Sequence, residues 1–116
     1  MFGKSFNLEN DEAIIAINSP KESCGGPYAV VYKNIEQYWA IVAFEWCGTP
    51  TLGIRWFDSK NGTPNSRGYP TWLVIPTELH NAVLNGLVLD FKFRDRVYRF
   101  LTGEISSDQL KAGGKK

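Results

Sequence analysis

Two stretches of regular alternation, joined by a turn, constrain the fold of this chain more than any other feature of its sequence. Cys47-Gly48-Thr49-Pro50 has the composition of a turn, and alternation resumes after it over Thr51–Phe57. A period of two on both sides of a turn predicts a half-buried antiparallel hairpin over Tyr38–Phe57. In its first strand, one side carries Tyr38, Ala40, Val42, Phe44 and Trp46, and the other carries Trp39, Ile41, Ala43 and Glu45.

Shorter segments predict the remaining strands. Ala13–Ile17, Tyr28–Tyr32 and Tyr69–Ile75 are rich in β-branched or aromatic residues. Lys21–Pro27 and the polar Asp58–Gly68 contain the glycines and prolines that favour loops. Together with the hairpin, these segments predict an antiparallel sheet of about five to seven strands.

One main helix is predicted, over about residues 77–86. Pro76 suits the first helical position, Thr77 can cap free N–H groups, and Gly86 suits the end of a helix. A last helical turn or two is predicted over Ser106–Ala112, capped by Ser106 or Ser107. The apolar residues that recur at helical spacing in the main helix are Leu79, Ala82, Val83 and Leu87.

The segment that follows the main helix fits two structures. Leu89, Phe91 and Phe93 alternate with charged residues, and the Phe, Val and Tyr content favours two strands, the second over Val97–Leu101. A continuous helix is the alternative, since it would bring Phe91 and Tyr98 together. The predicted fold class is α+β: a mostly antiparallel β-sheet with the one main helix packed on it.

The length of 116 residues allows a single domain, with residues 1–12 predicted as a flexible arm and 113–116 as a flexible tail. Four Trp, five Tyr and seven Phe compete for one small core. Some of these rings are therefore expected to face a ligand or a second copy of the chain, because large rigid rings are favoured at interfaces. We expect a homo-oligomer, with a dimer favoured and Trp56 or Trp72 at its contact.

Charge and hydropathy exclude several classes of function. A net charge of +1 argues against strong attraction to nucleic acid or anionic lipid. The longest apolar run, Tyr38–Phe44, is too short to cross a bilayer, and the beginning of the chain lacks the apolar segment of a secretory signal, so we expect a cytoplasmic protein. Cys24 and Cys47 are too far apart for a CxxC element, and His80 is the one histidine, so neither a metal nor a cofactor is predicted.

An Arg/Trp/Tyr cluster around the polar loop is the candidate site. Arg55 and Arg67 are predicted to supply positive charge to a pocket for a small anionic ligand or a protein partner, because the planar guanidinium binds such groups bidentately. Trp56, Tyr69 and Trp72 would form the walls. Glu45 has the matching orientation in the hairpin to lie near Arg55, so the alternative to a pocket is a structural salt bridge.

Three functions remain open on this basis. The sequence favours a non-enzymatic binding or regulatory module. The first alternative is a small enzyme that acts on an anionic metabolite with Arg55 in its pocket, although no carboxylate pair or nucleophile motif supports it. The second alternative is a weak nucleic-acid binder through Lys92–Arg99, where cations and rings interleave; a solvated strand is favoured over it.

Parts of the sequence resemble a known group of proteins. Gly53–Phe57, Ser66–Trp72 and Val74–Pro76 resemble segments of the uncharacterised small proteins that are encoded by mobile bacterial integron gene cassettes. The resemblance covers less than half of the chain. It implies a bacterial, cytoplasmic origin on a mobile element, and it assigns neither an activity nor a catalytic residue.

Overall fold

The predicted hairpin lies at the centre of the fold. The structure is a computed structural model that describes residues 6–58 and 62–113. Strand β2 (Trp39–Trp46) pairs antiparallel with β3 (Thr49–Trp56), which confirms the hairpin. Cys47 and Gly48 form the turn with positive φ angles of 53° and 84°, as a two-residue hairpin turn requires. Pro50, predicted in the turn, lies in β3.

Two further strands complete a four-stranded antiparallel sheet. Strand β1 (Cys24–Asn34) pairs with β2, and the short β6 (Leu73–Ile75) pairs with β3, so the order is β1-β2-β3-β6. Strand β1 contains the predicted Tyr28–Tyr32 and extends into the predicted loop Lys21–Pro27, because its N-terminal end pairs with the end of β2.

The predicted strand Tyr69–Ile75 is divided. Its beginning forms β5 (Tyr69–Pro70), which pairs with β4 (Asn65–Ser66) in a separate two-stranded ribbon, and its end forms β6. The polar loop is therefore partly ordered as a hairpin. Arg67 and Gly68 form the turn of that hairpin, with φ angles of 52° and 84°.

Both faces of the sheet are buried, whereas the alternation predicted a half-buried pair. The two sides of β2 supply two separate cores because its residues alternate between two apolar sets. The first core, on one face, contains Leu8, Ile14, Cys24, Tyr38, Ala40, Val42, Phe44, Phe57 and Trp72. The second core, on the other face, contains Val31, Ile41, Ala43, Leu52, Ile75, Leu84, Val97, Phe100 and Leu110.

The first core is covered by the N-terminal segment. Ala13–Ile17 was predicted as a strand, but this region forms helix α1 (Asp11–Ile15), which Asn10 caps by accepting from the N–H groups of Glu12 and Ala13. Leu8, within the predicted arm 1–12, is buried in this core. Residues 1–5 of that arm and residues 114–116 of the predicted tail lie outside the described residues.

The second core is covered by helices. The predicted helix over 77–86 is present as a 3₁₀ turn (Thr77–Leu79) that continues into α2 (His80–Gly86). The predicted last helical turns are present as α4 (Ser107–Gly113). Ser106 caps α4: its hydroxyl accepts from the N–H of Gln109, and the Gln109 amide oxygen accepts from the N–H of Ser106.

The favoured prediction of two strands over Val88–Leu101 is wrong, because this region contains helix α3 (Phe91–Leu101). Asp90 caps the helix by accepting from the N–H of Phe93. The buried or half-buried residues Phe93, Val97, Phe100 and Leu101 follow helical spacing and face the second core. The alternation ends after Phe93, since a continued strand would place Asp95 and Arg99 on the same side as Val97.

The architecture is α+β, with a mostly antiparallel sheet and helices packed on it, as predicted. Among the described residues, no helix combines the length and the hydropathy needed to cross a bilayer.

Candidate functional site

The predicted centre of the site, Arg55, is a buried side chain that holds the protein's own backbone. Its side chain is only 2% exposed. Its Nη1 donates to the carbonyl oxygens of Pro64 and Thr71, the latter at 3.1 Å. The guanidinium also lies over the ring of Phe57, 5.3 Å from its centroid. Burial lowers the pKa of Arg55 to about 10, which leaves the group charged at neutral pH.

The space next to the Arg55 guanidinium is occupied by another segment of the same chain. Residues 62–71, which we call the returning segment, fold back over the end of β3, where Trp56 and Thr63 exchange backbone hydrogen bonds of 2.8 and 3.0 Å. Gly62 has a φ of 66°, and a Cβ there would lie 2.7 Å from Arg55 Nη2. Arg55 therefore anchors the returning segment, and its guanidinium is covered by described residues rather than open to solvent.

The buried Trp72 is also bonded within the fold. It is 2% exposed, its Nε1 donates to the carbonyl oxygen of Ile17 at 2.8 Å, and its ring packs against Phe44 and Phe57. This ring connects the residue that follows the returning segment with the chain just after α1. Its burial removes it as a wall of a ligand pocket or as a contact with a second copy.

Glu45 lies far from Arg55. In the hairpin register, Arg55 is opposite Ala40, whereas Glu45 is opposite Pro50 on the other face of the sheet. The Glu45 carboxylate instead accepts from the hydroxyl of Tyr28 at 3.0 Å. The predicted proximity of Glu45 and Arg55 is therefore wrong, because their side chains lie on opposite faces of the sheet.

The remaining predicted residues are closer to solvent and do not converge. Trp56 is half-buried opposite Trp39. Arg67 is exposed at the tip of the β4–β5 hairpin, and Tyr69, beside it, is 65% exposed. The cluster that is continuous in sequence is thus divided into a buried pair, Arg55 and Trp72, and an exposed hairpin tip.

Three cavities border α3, on the opposite side of the sheet from the first core. Exposed rings stand between them: Phe91 is 73% exposed and Tyr98 is 42% exposed. The α3–α4 cavity, of about 450 Å³, is lined by Phe91, Lys92, Asp95, Arg96, Arg99, Ile105 and Gln109. The α2–α3 cavity, of about 310 Å³, is lined by Asn81, Leu84, Asn85, Phe91, Arg94, Asp95 and Tyr98. A third, of about 260 Å³, is lined by Thr77, Glu78, His80, Asn81, Tyr98, Leu101 and Thr102. We call the residues that line these three cavities the α3 surface.

The cations of α3 differ in their partners. Arg99 is held by two carboxylates, Asp95 at 2.9 Å and Glu104 at 3.2 Å. The hydrogen bond to Asp95, together with the negative charges of Asp95 and Glu104, raises the pKa of Arg99. Within residues 6–58 and 62–113, no carboxylate forms an ion pair with Lys92, Arg94 or Arg96. The Arg96 guanidinium lies 5.6 Å from the ring centroid of Phe93.

The histidine at the third cavity is a buried structural group. His80 Nε2 lies 3.0 Å from the carbonyl oxygen of Ile75 and 3.1 Å from the hydroxyl of Thr51. A carbonyl only accepts, so Nε2 carries the proton in the bond to Ile75. Burial lowers the pKa of His80, although the bond to Ile75 acts in the opposite direction.

The described residues do not assemble a metal site, and one of their two thiols is buried. No group of three or more His, Cys, Asp or Glu side chains is placed to hold a metal ion in the described part of the chain. Cys24 and Cys47 are free thiols, and burial raises the pKa of Cys24 to about 11, which keeps this thiol protonated at neutral pH.

The sequence favours strands over Lys92–Arg99 and leaves a helix as the alternative, so the α3 surface is not among its predicted sites. The spacing of Phe93, Val97 and Phe100, together with Asp90 as a cap, was the available signal for a helix. With the helix assigned, Phe91, Asp95 and Tyr98 fall on the side away from the core.

Comparison with known proteins finds no matching family model, curated protein or solved structure. The resemblance to integron-cassette proteins therefore stays a prediction.

Proposed function

We propose that this protein is a non-enzymatic binding domain and that the α3 surface is its binding site. The observation that carries the proposal is the meeting of three cavities at one helix that also exposes two aromatic rings. Concave surfaces lined by rings and a few polar groups are the usual form of ligand sites.

The distribution of the rings supports this choice of surface. Most of the described aromatic side chains are buried or half-buried in the two cores, whereas Tyr69, Phe91 and Tyr98 are exposed. Phe91 and Tyr98 border cavities beside cations, and Tyr69 lies on a narrow hairpin. Large rings next to concave surface are favoured as contacts because they bury much apolar area at a low entropic cost.

The enzyme alternative has less support. It required Arg55 in a pocket for an anionic metabolite, but this guanidinium is bonded to the backbone carbonyls of Pro64 and Thr71. At the α3 surface, the one histidine is bonded to Ile75 and the carboxylate of Asp95 is paired with Arg99.

The test is to map small organic fragments onto the protein by NMR. A panel of aromatic acids, amines and neutral compounds is titrated into isotopically labelled protein, and backbone shifts are followed. We expect the perturbed amides to cluster on α2, α3 and α4, because compounds of this size collect where rings border a cavity. Perturbations that cluster at the Arg67–Tyr69 tip, or that show no cluster, would contradict the proposal.

Two variants make the mapping specific. Phe91→Ser removes the ring that borders two of the cavities and should abolish most of the perturbations. Val88→Ser removes an apolar side chain that is 91% exposed and lines none of the three cavities, so it should leave them unchanged. If the perturbations were lost equally in both variants, the fragments would be binding to exposed apolar surface in general. This result would contradict the proposal.

Three further statements belong to the same proposal. The protein acts as a homodimer, in the cytoplasm, and derives from a bacterial mobile gene cassette. The dimer rests on the partly exposed Trp56, and the origin rests on the sequence resemblance of Gly53–Phe57 and Ser66–Trp72. The location rests on the two cysteines, which are free thiols as in proteins of a reducing compartment.

A further inference from the structure

We propose that the α3–α4 cavity binds an amphipathic organic anion, a molecule with one acidic group and an apolar body that contains a ring. This inference deepens the proposed function, on which it rests, by naming the ligand class. It is argued from the lining of the cavity and from the partners of its charged groups.

The size and the apolar lining of the cavity suit the body of such a molecule. A volume of about 450 Å³ falls within the range of small-molecule sites. Phe91 and Ile105 supply apolar surface from α3 and from the segment before α4. Ile105 is half-buried against the second core, so one wall rests on packed structure. An aromatic ring of a ligand bound in this cavity would pack against these apolar side chains instead of contacting water.

The charged lining has an excess of cations. Arg99 and Asp95 are already paired, and Glu104 adds a second carboxylate to Arg99. Lys92 and Arg96 also line the cavity, and neither forms an ion pair among the residues that the structure describes. An acidic group between them would meet two positive charges without displacing an existing pair.

Arg96 is held in place before any ligand binds. Its guanidinium is stacked near the ring of Phe93. Its Nε is buried and has no hydrogen-bond partner among the described residues. The contact with Phe93 and the burial of Nε restrict the side chain, so its charge stays at the wall of the cavity, and binding an anion requires less ordering of this group.

The geometry of the helix separates this site from the α2–α3 cavity. Residues two apart on a helix lie about 200° apart around its axis, so Arg94 points away from Lys92 and Arg96. The α2–α3 cavity contains Arg94 with the amides of Asn81 and Asn85 and is smaller. The α3–α4 cavity thus differs from the α2–α3 cavity because it is lined by two cations that form no ion pair among the described residues.

The same separation argues against a nucleic acid as the ligand. A polyanion needs cations along one continuous line, but the cations of α3 are divided between two sides, and Arg99 is neutralised. The formal net charge of the chain is only +1. A compact anion with one acidic group matches two neighbouring cations better.

The experiment compares two fluorescent probes that share one body. Anilinonaphthalene sulfonate has an acidic group, and N-phenylnaphthylamine has the same ring system without it. We expect the sulfonate to bind saturably with one site per chain and at least about tenfold more tightly than the neutral probe. Its affinity should fall with added salt, because the attraction is partly ionic.

Three variants locate the site. Lys92→Gln and Arg96→Gln should each weaken sulfonate binding by about tenfold and leave the neutral probe unaffected. Arg94→Gln removes the same charge from the other side of α3 and should change sulfonate binding by less than about twofold. Thermal melts check that each variant is folded, and Lys92, being exposed, keeps the test valid if Arg96→Gln unfolds.

The outcomes separate the inference from the proposed function. Equal affinity for both probes, or equal weakening by Arg94→Gln, would overturn the amphipathic-anion site, whereas the fragment map on the α3 surface would be unchanged. A sulfonate that binds while its shifts map to the Arg67–Tyr69 tip would overturn both. Preferential binding of a single-stranded oligonucleotide over the sulfonate, with similar loss in all three variants, would also overturn the inference in favour of nucleic acid.

Discussion

Single residues in this protein show how one side chain can organise a segment that lacks regular structure. The returning segment is polar and contains few apolar residues to hold it on the sheet. Arg55 replaces those contacts with charge-assisted hydrogen bonds to the carbonyls of Pro64 and Thr71. A buried backbone carbonyl that lacks a hydrogen-bond donor destabilises the folded state. The main role of this side chain is therefore to order the segment, and not to present a charge to solvent.

The role of Arg55 predicts a large loss of stability on substitution. Arg55→Met retains much of the apolar stem but removes the donors to Pro64 and Thr71, and it should lower the free energy of unfolding by about 2–4 kcal/mol. Arg67→Met makes the same change at an exposed position and should cost less than about 0.5 kcal/mol. Urea denaturation of both variants measures the difference. Equal, small effects would contradict the anchoring role.

His80 predicts a pH dependence of stability. Burial lowers its pKa in the folded protein from the ordinary value of 6.5, so the unfolded chain binds the proton more readily. The free energy of unfolding should therefore fall as the pH drops below about 6.5 and level off below the folded-state pKa. Urea denaturation between neutral and mildly acidic pH measures this fall. His80→Gln should flatten the curve over the same range; an unchanged slope would assign the effect to other groups.

At the scale of secondary-structure elements, the close packing on the central sheet depends on a glycine in β3. Gly53 lies opposite Val42 in the hairpin, and a Cβ there would approach the Phe44 ring to 2.7 Å and the Cβ of Trp72 to 2.9 Å. The glycine thus allows the returning segment to place Trp72 directly on the sheet. This close approach connects β3 with the first core.

Gly53→Ala should consequently destabilise the protein by about 1–3 kcal/mol through overpacking. Gly86→Ala is the matched control, because this glycine ends α2 without a positive φ and its added Cβ would meet no atom within 4 Å. It should be neutral or should stabilise by up to about 1 kcal/mol. Thermal and urea denaturation compare the two, and a stabilising Gly53→Ala would show that Phe44 and Trp72 can move apart.

At the scale of the whole molecule, burial of both faces of the sheet changes the argument from aromatic content. The number of rings, set against a single core, predicts that some are left at the surface. The second core accommodates or partly covers Tyr28, Tyr32, Trp39, Phe93 and Phe100. Few rings thus remain for an interface, and of the two tryptophans expected at a dimer contact, only Trp56 retains exposed surface.

The homodimer stays a prediction that sedimentation can test. Across a broad micromolar range, the protein should sediment as a dimer, and Trp56→Ser should shift it toward monomer if this ring lies at the contact. Phe91→Ser serves as a comparison from the α3 surface and should leave the association unchanged. A protein that is monomeric throughout would contradict the dimer, and dissociation caused by Phe91→Ser would move the contact to α3.

Local sequence determined those elements whose signal lies in neighbouring residues. The hairpin, the helix over 77–86 and the last helix follow from alternation, capping residues and turn composition, all of which act over a few positions. For α3, the sequence favours two strands and leaves a helix as the alternative, because the ring content of a short segment favours a strand when its tertiary partners are unknown.

The tertiary structure alone decided what the singled-out residues do. Whether Arg55 faces a ligand or a carbonyl depends on where a segment 9 to 16 residues further along the chain folds back, and no local pattern specifies that return. The α3 surface likewise exists only because α2, α3 and α4 assemble on one face of the sheet. Alternation determined that the hairpin has two faces, but long-range packing decided that both are buried and which side chains are left for solvent.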